Sequence, residues 1–408
     1  MSLDIIRRGE EELRPVFNQF DEVAYENQQK VLNMFRLCRI REEHFQASSG
    51  YGYGDQGRER LEELYAGIFG AEDALVRAQI VSGTHAIAAC LFALLRPGDT
   101  MVSASGPPYD TLANIIGLGN DTGGTLTERG IKYREVPLLK NGTPDFETIP
   151  DLVDADTKLV FIQRSRGYQL RPALPVAQIE KICALVKSKN SGAITMVDNC
   201  YGEFTAVQEP SETGADITAG SLIKNPGGGL ALNGGYIVGK KDLIEQIAWH
   251  LTAPGLGKNL GATLFNRRYY YMGLFMAPHA VQQSLMGATL AAWVAGYCGY
   301  ETYPGWNEPR ADIVQAIKVG GQEQAQRFCQ LIQRYSPVDS DVTLEFGSMP
   351  GYESKVIMAA GTFVQGSSIE LSCDAPMREP YCVFLQGGLT YQHCRYVMNQ
   401  VLESGLLK

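Results

Sequence analysis

Through the middle of the chain, short apolar runs alternate with stretches in which apolar positions recur at helical spacing. Residues 74–78, 100–104, 132–137, 157–163, 193–198, 216–220 and 234–239 read as strands, being short, rich in apolar and β-branched residues and bounded by turn-forming residues. Residues 83–95, 109–117, 175–189 and 241–251 carry the helical pattern. This rhythm predicts an α/β fold with a mostly parallel central sheet covered by helices on both faces. Ligands in such a fold bind beyond the carboxyl ends of the strands.

The flanks differ from this core. Residues 4–47 read as an amphipathic helical arm, with Val23, Val31, Leu32 and Phe35 on its apolar stripe, ended by a glycine-rich stretch at 48–55. A further helix carries Leu61, Leu64, Tyr65 and Ile68, with Gly70 as its C-cap. A long helical stretch is expected over 259–297, and residues 299–310, rich in proline, glycine and aromatics, read as a link. Beyond it a helix over 311–335, strands near 343–347, 354–359, 363–372 and 381–386, and a helix over 391–404 make a smaller α+β unit. The expected division is an N-terminal helical arm (1–57), an α/β domain (58–298) and a C-terminal α+β domain (299–408).

Composition narrows the partners. The chain has 408 residues and a formal net charge of −9, which argues against nucleic acid and anionic membrane as ligands. Its nine cysteines are scattered without a Cys-x-x-Cys, and those in apolar helical stretches (Cys90, Cys183, Cys298) read as buried free thiols. The five histidines show no metal-ligand spacing. The N-terminus lacks a signal pattern, and the most apolar stretch, near 285–297, is too short and mixed to span a bilayer. The expectation is a cytoplasmic protein with a small-molecule substrate.

The chemistry concentrates at strand ends. Lys224 follows the run Asp216-Ile217-Thr218-Ala219 and precedes Asn225-Pro226-Gly227-Gly228-Gly229, a setting that desolvates the amine and lets a planar ligand approach the backbone. Asp198 ends the run Ala193-Ile194-Thr195-Met196-Val197. A lysine nucleophile and a carboxylate at the ends of neighbouring strands are what pyridoxal 5'-phosphate (PLP) chemistry needs. The lysine links covalently to the cofactor aldehyde, and the carboxylate keeps the pyridine nitrogen protonated. Ser82-Gly83-Thr84 opens a helix after a strand and offers backbone amides to a phosphate, although a plain serine N-cap has the same signature. Ser221 is placed to share that phosphate, or else is a hydroxyl at a strand end. Tyr109, in Gly106-Pro107-Pro108-Tyr109-Asp110, is a candidate to stack on the ring and to act as an acid if nearby cations lower its pKa; a packing tyrosine after a proline turn is the plainer alternative. Arg164, Arg166 and Arg378 are candidates for the substrate carboxylate, with Arg378 the first choice, although each alone is more often a salt-bridge residue.

Taken together, these residues resemble the fold type I PLP enzymes of cysteine and methionine metabolism, in the branch known as methionine γ-lyase-like or aluminium-resistance proteins. The likeness is carried by Gly50-Tyr51-Gly52-Tyr53-Gly54-Asp55, Val81-Ser82-Gly83-Thr84-His85, Gln163-Arg164-Ser165-Arg166-Gly167-Tyr168, Val197-Asp198-Asn199-Cys200-Tyr201, Ser221-Leu222-Ile223-Lys224-Asn225-Pro226-Gly227-Gly228 and Gln386-Gly387-Gly388-Leu389-Thr390. The resemblance implies the PLP-dependent transferase fold and a carbon–sulfur lyase acting by β- or γ-elimination on an amino acid of the cystathionine, methionine or cysteine type. It also implies a homotetramer, a dimer of dimers with active sites at the dimer interface. Tyr51 or Tyr53, with Arg58, match the arm residues that reach a neighbouring subunit's cofactor phosphate. The chain departs from the better-known lyases in having Ile223 where they carry Thr or Ser, in lacking their Tyr-x-Arg arm, and in its 163–168 turn. Transamination or decarboxylation, and a catalytically silent stress-response protein on the same fold, are the alternatives.

Overall fold

Along one strand, Leu159 and Phe161 enter one apolar cluster while Val160 and Ile162 enter another, so the sheet that contains them is buried on both faces. The computed structural model describes residues 2–119 and 123–407. Its main sheet comprises β1 (Asp73–Arg77), β2 (Thr100–Ser103), β3 (Lys132–Glu135), β4 (Thr157–Gln163), β5 (Ile194–Asp198), β6 (Ile217–Ser221) and β7 (Gly235–Gly239), in the order β1-β7-β6-β5-β4-β2-β3. Pairing is parallel from β3 through β2, β4 and β5 to β6; β7 runs antiparallel to both β6 and β1.

Helices α1 (Ser2–Leu37), α2 (Gln56–Ile68), α3 (Gly83–Leu94), α4 (Asp110–Ile116), α5 (Ile149–Leu152), α6 (Val176–Lys189), α7 (Lys241–Leu251) and α8 (Arg268–Tyr297) surround this sheet. Residues of α3 and α7 pack on one face, whereas α6 on one half and α2 with α8 on the other cover the second. The mostly parallel, doubly covered sheet expected from the sequence is therefore present. A second, antiparallel sheet has the order β10-β11-β12-β9-β8, from β8 (Thr302–Tyr303), β9 (Val314–Lys318), β10 (Val356–Ala359), β11 (Ser372–Pro376) and β12 (Cys382–Gln386). Helices α9 (Gln322–Arg334) and α10 (Tyr391–Glu403) share its core.

Several boundaries differ from the sequence reading. The helix expected over 311–335 is two elements. Val314–Lys318 is a strand between β12 and β8, and Gly320, at φ +81°, turns the chain before α9 begins. The strand expected over 363–372 is mainly an irregular segment, held where the Phe363 and Val364 amides donate to the Glu370 carboxylate; only Ser372 belongs to β11. Residues 343–347 contribute one isolated bridge, Gly347 to Val356. The first helix ends at Leu37, before Arg39 at φ +50°. It is also docked on the body of the protein: Ile6 and Leu13 lie in the core of the second sheet, and the Trp293 indole donates to Glu12 at 2.9 Å. Among the described residues, no helix is long and apolar enough to cross a membrane, and all nine cysteines are free thiols.

Glycines bring α8 against the turn that carries Lys224. A Cβ on Gly273 would meet the Gly227 carbonyl oxygen at 2.3 Å, and one on Gly228 would meet the Gly273 carbonyl oxygen at 2.4 Å. Alanine favours a helix interior over glycine by about 1 kcal/mol, yet here overpacking opposes it. Gly273→Ala is expected to lower stability by about 1–3 kcal/mol, read as a lower urea midpoint. A midpoint equal to or above that of the wild type would show that this backbone contact does not constrain the turn.

Candidate functional site

Beyond the carboxyl ends of β4, β5 and β6 lies a cavity of about 190 Å³. Lys224, Asp198, Tyr109, Thr84, Cys200 and Tyr201 line it from the main sheet; Arg166 and Tyr168 come from the loop after β4, and Tyr352 and Arg378 from the second-sheet region. β5 pairs in register with both neighbours, Asp198 opposite Gln163 on β4 and Ala219 on β6, so its carboxylate and the Lys224 turn after β6 open onto the same edge.

Asp198 is 6% exposed, and its Oδ1 accepts the Cys200 amide at 3.1 Å. Burial pushes this carboxyl up from the usual carboxylate range, against the lowering influence of Lys224 and the Cys200 bonds. The Lys224 Nζ stands 4.0 Å from the centroid of the Tyr201 ring, a cation–π distance. Burial disfavours the ammonium, but Cys200, Tyr201, Asp198 and Tyr109 together outweigh it and hold the amine above the ordinary lysine range.

The turn after Asp198 is strained and braced. Tyr201 and Phe204 adopt φ values of +72° and +60°, unusual for side chains of this size. The Phe204 amide donates to Glu209 at 2.8 Å, the Asn199 amide group donates to the other Glu209 oxygen at 2.9 Å, and Arg164 Nη1 donates to Asn199 Oδ1 at 2.7 Å. Asn225, beside Lys224, donates to the Glu203 carbonyl at 2.9 Å. The Glu203 carboxyl, fully buried and accepting from Tyr236 at 2.8 Å, is pushed up to about 8 by burial. It therefore stays protonated at neutral pH, and the turn gains no second uncompensated charge.

The residues singled out from the sequence fall into two groups. Lys224, Asp198, Tyr109, Thr84, Arg166 and Arg378 line the cavity. Ser82 is an N-cap of α3, its hydroxyl accepting the His85 amide at 3.0 Å. Gly83 packs where a Cβ would stand 3.1 Å from both Cys200 Sγ and Ser221 Cβ, so the start of α3 and the end of β6 abut. Burial and the nearby Asp198 push the Tyr109 phenol well up, opposite to the lowering expected from cations. Arg164 does not join the cavity: it is buried with Asn199, Thr205 and Glu209. Arg166 faces the cavity but also donates to the Tyr303 carbonyl at 2.7 Å and lies 3.7 Å from Asp312. Arg378 stands 3.8 Å from Asp110, with its side chain 40% exposed. Tyr51 and Tyr53 lie outside the cavity, 71% and 61% exposed. Arg58 is buried and donates to the Gly52, Gly261 and Asn259 carbonyls.

Tyr201, Tyr168 and Tyr352 were not singled out from the sequence, although all three line the cavity. Tyr201 had a usable signal, its position three residues after Asp198. Tyr352 sits in an irregular loop whose approach to the cavity no periodicity announces.

Comparison with known proteins fits this geometry. The sequence profile of the family described as methionine gamma-lyase matches residues 2–406. The uncharacterized protein YnbB of Bacillus subtilis (strain 168) is 45% identical over 400 residues, covering 98% of this chain and 95% of that protein. The crystal structure of a carbon-sulfur lyase involved in aluminum resistance from Clostridium novyi NT superposes with a TM-score of 0.94 at 46% identity, covering 99% of this chain and 95% of the other. L-methionine gamma-lyase of Pseudomonas putida is 26% identical over 294 residues, 68% of this chain and 67% of that enzyme. With a match that runs nearly end to end, the chain belongs to the methionine gamma-lyase family, whose members depend on PLP.

Proposed function

We propose that the protein is a PLP-dependent carbon–sulfur lyase that eliminates a thiol-type leaving group from Cβ or Cγ of a sulfur-containing amino acid. The observation that carries this reading is the placement of Asp198 at the end of one strand and Lys224 just beyond the end of its neighbour, both lining one cavity with Tyr109. The family match and the carbon–sulfur lyase named among the similar structures support the same chemistry.

The residues fit the cofactor. Asp198 is a buried carboxyl whose ionised form burial disfavours, so a cationic ring nitrogen beside it would offset that penalty. Tyr109 offers an aromatic face to the ring. The first amides of α3 with Thr84 and Ser221 suit the phosphate. When bound, PLP supplies an aldehyde for a covalent link and an electron-poor ring that stabilises negative charge at the substrate Cα. The residues supply the rest. Lys224 Nζ takes the Cα proton, and as an ammonium it can supply a proton to the departing thiolate, which leaves as the thiol. Asp198 keeps the ring nitrogen protonated. Arg378 holds the substrate carboxylate, its long contact with Asp110 leaving guanidinium hydrogens for a new partner. Tyr109, made a weaker acid by burial, serves chiefly by covering the ring.

The arm completes the reading. Tyr51 and Tyr53 belong with Val81 and Leu264, 70% and 79% exposed, around a segment in which the Gly261 amide donates to the Tyr51 carbonyl and Gln79 bonds Ala262. An apolar and aromatic surface of this kind suits a second copy of the chain. One of the two tyrosines then reaches the neighbouring subunit's cavity in a homotetramer, while Arg58 anchors the loop that presents it.

Purified protein is expected to be yellow, and borohydride should fix the cofactor to Lys224; Lys224→Ala should lose that link. Incubation with cysteine, cystathionine, methionine and homocysteine should release thiol, ammonia and 2-keto acid from at least one of them. Amino transfer without thiol from every one would replace the lyase reading with transamination. Asp198→Asn should retain the fold and reduce turnover by about two to three orders of magnitude, the scale of losing one preorganised electrostatic contact in a reaction centre. Turnover equal to that of the wild type would remove Asp198 from the ring nitrogen.

A further inference from the structure

A second buried carboxylate faces Lys224 from the opposite sheet, and the chemistry above leaves it without a task. Asp374 lies in β11, 9% exposed, with its Oδ2 accepting the Tyr168 hydroxyl at 2.9 Å and the Gln386 amide group at 3.0 Å. Tyr168 comes from the loop after β4, so this hydrogen bond joins the two sheets across the cavity. The phenol is fixed from other sides as well. The Tyr168 ring lies 5.2 Å from Phe384 and 5.8 Å from Tyr352. Because its hydrogen points at Asp374, the phenol oxygen keeps its lone pairs for accepting; the Tyr352 hydroxyl is also within hydrogen-bond reach of it, and Tyr168 and Tyr352 both line the cavity with Lys224.

Resting on the lyase reading above, we infer that Tyr168, polarised by Asp374, is the subsite that binds the substrate's ammonium group and accepts its proton. An amino acid arrives as an ammonium, whose nitrogen has no lone pair for attack. One N–H bond of the ammonium breaks and an O–H bond forms at Tyr168 Oη, while the original Oη–H proton passes to Asp374 Oδ2. The substrate is left as a neutral amine, the phenol is unchanged in net protonation, and Asp374 becomes a carboxylic acid. No electrons are gained or lost. Tyr168 is the residue that touches substrate; Asp374 acts through it.

The groups facing Asp374 come from every element around it: Tyr168 after β4, Tyr201 after β5, Lys224 after β6, Tyr352 in the loop before β10, and Gln386 in β12. Burial raises the Asp374 carboxyl to about 6, while the Tyr168 and Gln386 hydrogen bonds and the Lys224 charge pull it down. It is thus mostly ionised at neutral pH and close to the pKa that suits a proton acceptor there. As pH falls through about 6, Asp374 takes a solvent proton and the acceptor is lost, so kcat/KM declines on the acid side.

Two experiments test the pair. In the holoenzyme, Asp374→Asn should lower kcat/KM by about 10²- to 10³-fold and abolish the acid limb, with cofactor content and unfolding midpoint retained; Tyr168→Phe should do the same. A wild-type acid limb and undiminished kcat/KM in either folded variant would overturn the inference. The second experiment needs no turnover. In cofactor-free Lys224→Ala protein, which lacks the competing lysine cation, S-methylcysteine should bind about tenfold more tightly than 3-(methylthio)propionate, a difference of about 1.4 kcal/mol. Adding Asp374→Asn should erase that preference; an unchanged preference would exclude the pair as the ammonium subsite. If the wild type releases no thiol from any substrate, the lyase reading fails, whereas this comparison still decides the fate of the pair.

Discussion

Lys224 is a cation inside a buried wall of acidic side chains whose ionised forms burial disfavours. Asp198 at the end of one sheet and Asp374 in the other both feel its charge, and Tyr201, Tyr109 and Cys200 surround it. Burying a charge costs several kcal/mol unless a partner compensates. The amine therefore needs the carboxylates, and the carboxylates need the amine or a cation that replaces it. On the proposed reading, a cationic ring nitrogen at Asp198 and an incoming ammonium at Tyr168 with Asp374 would be such replacements. The electrostatics of the cavity thus favour the positive charges that an amino-acid enzyme of this family must gather.

That arrangement survives only if its backbone is held. The turn from Asp198 carries two residues at positive φ, and the turn from Lys224 is pressed against α8 through glycines. Neither is comfortable locally, and both are fixed by buried partners. Arg164, Asn199 and Glu209 brace the first turn, and Asn225 ties the second to it through the Glu203 carbonyl. The site's rigidity resides in this layer behind the cavity, where strain at the functional turns is offset by hydrogen bonds that water cannot reach.

Much of this was legible from the chain itself. Strands ending in Asp198 and near Lys224 announced themselves by short apolar runs, and a mostly parallel sheet followed from the helical patterns elsewhere in the domain, such as 175–189. The only helical element between these two strands themselves is the short turn Pro210–Thr213, yet they pair in parallel and share one edge. What the pattern could not supply was contact between distant segments. Val314 to Lys318 reads as part of a helix until its pairing with Cys382 to Gln386 is known. Asp374 sits in an apolar strand, where a charged residue is a warning of function, but nothing in its own segment indicates that Tyr168 waits across the cavity.

The arginines show most clearly where local reading stops. Arg164 and Arg166 lie two residues apart, and a strand would point both to the same face. The strand ends at Gln163, however, and the loop that follows no longer obeys that alternation. Arg164 turns toward Glu209 and Asn199 and becomes part of the scaffold, whereas Arg166 turns toward Asp312 and the cavity. Each guanidinium goes to the carboxylate that can neutralise it, and both carboxylates come from segments far along the chain. A cation's role is therefore set by where the fold delivers anions. By the same logic Arg378, whose own anion Asp110 is 3.8 Å away, is better placed than Arg164 to exchange a protein carboxylate for that of a substrate.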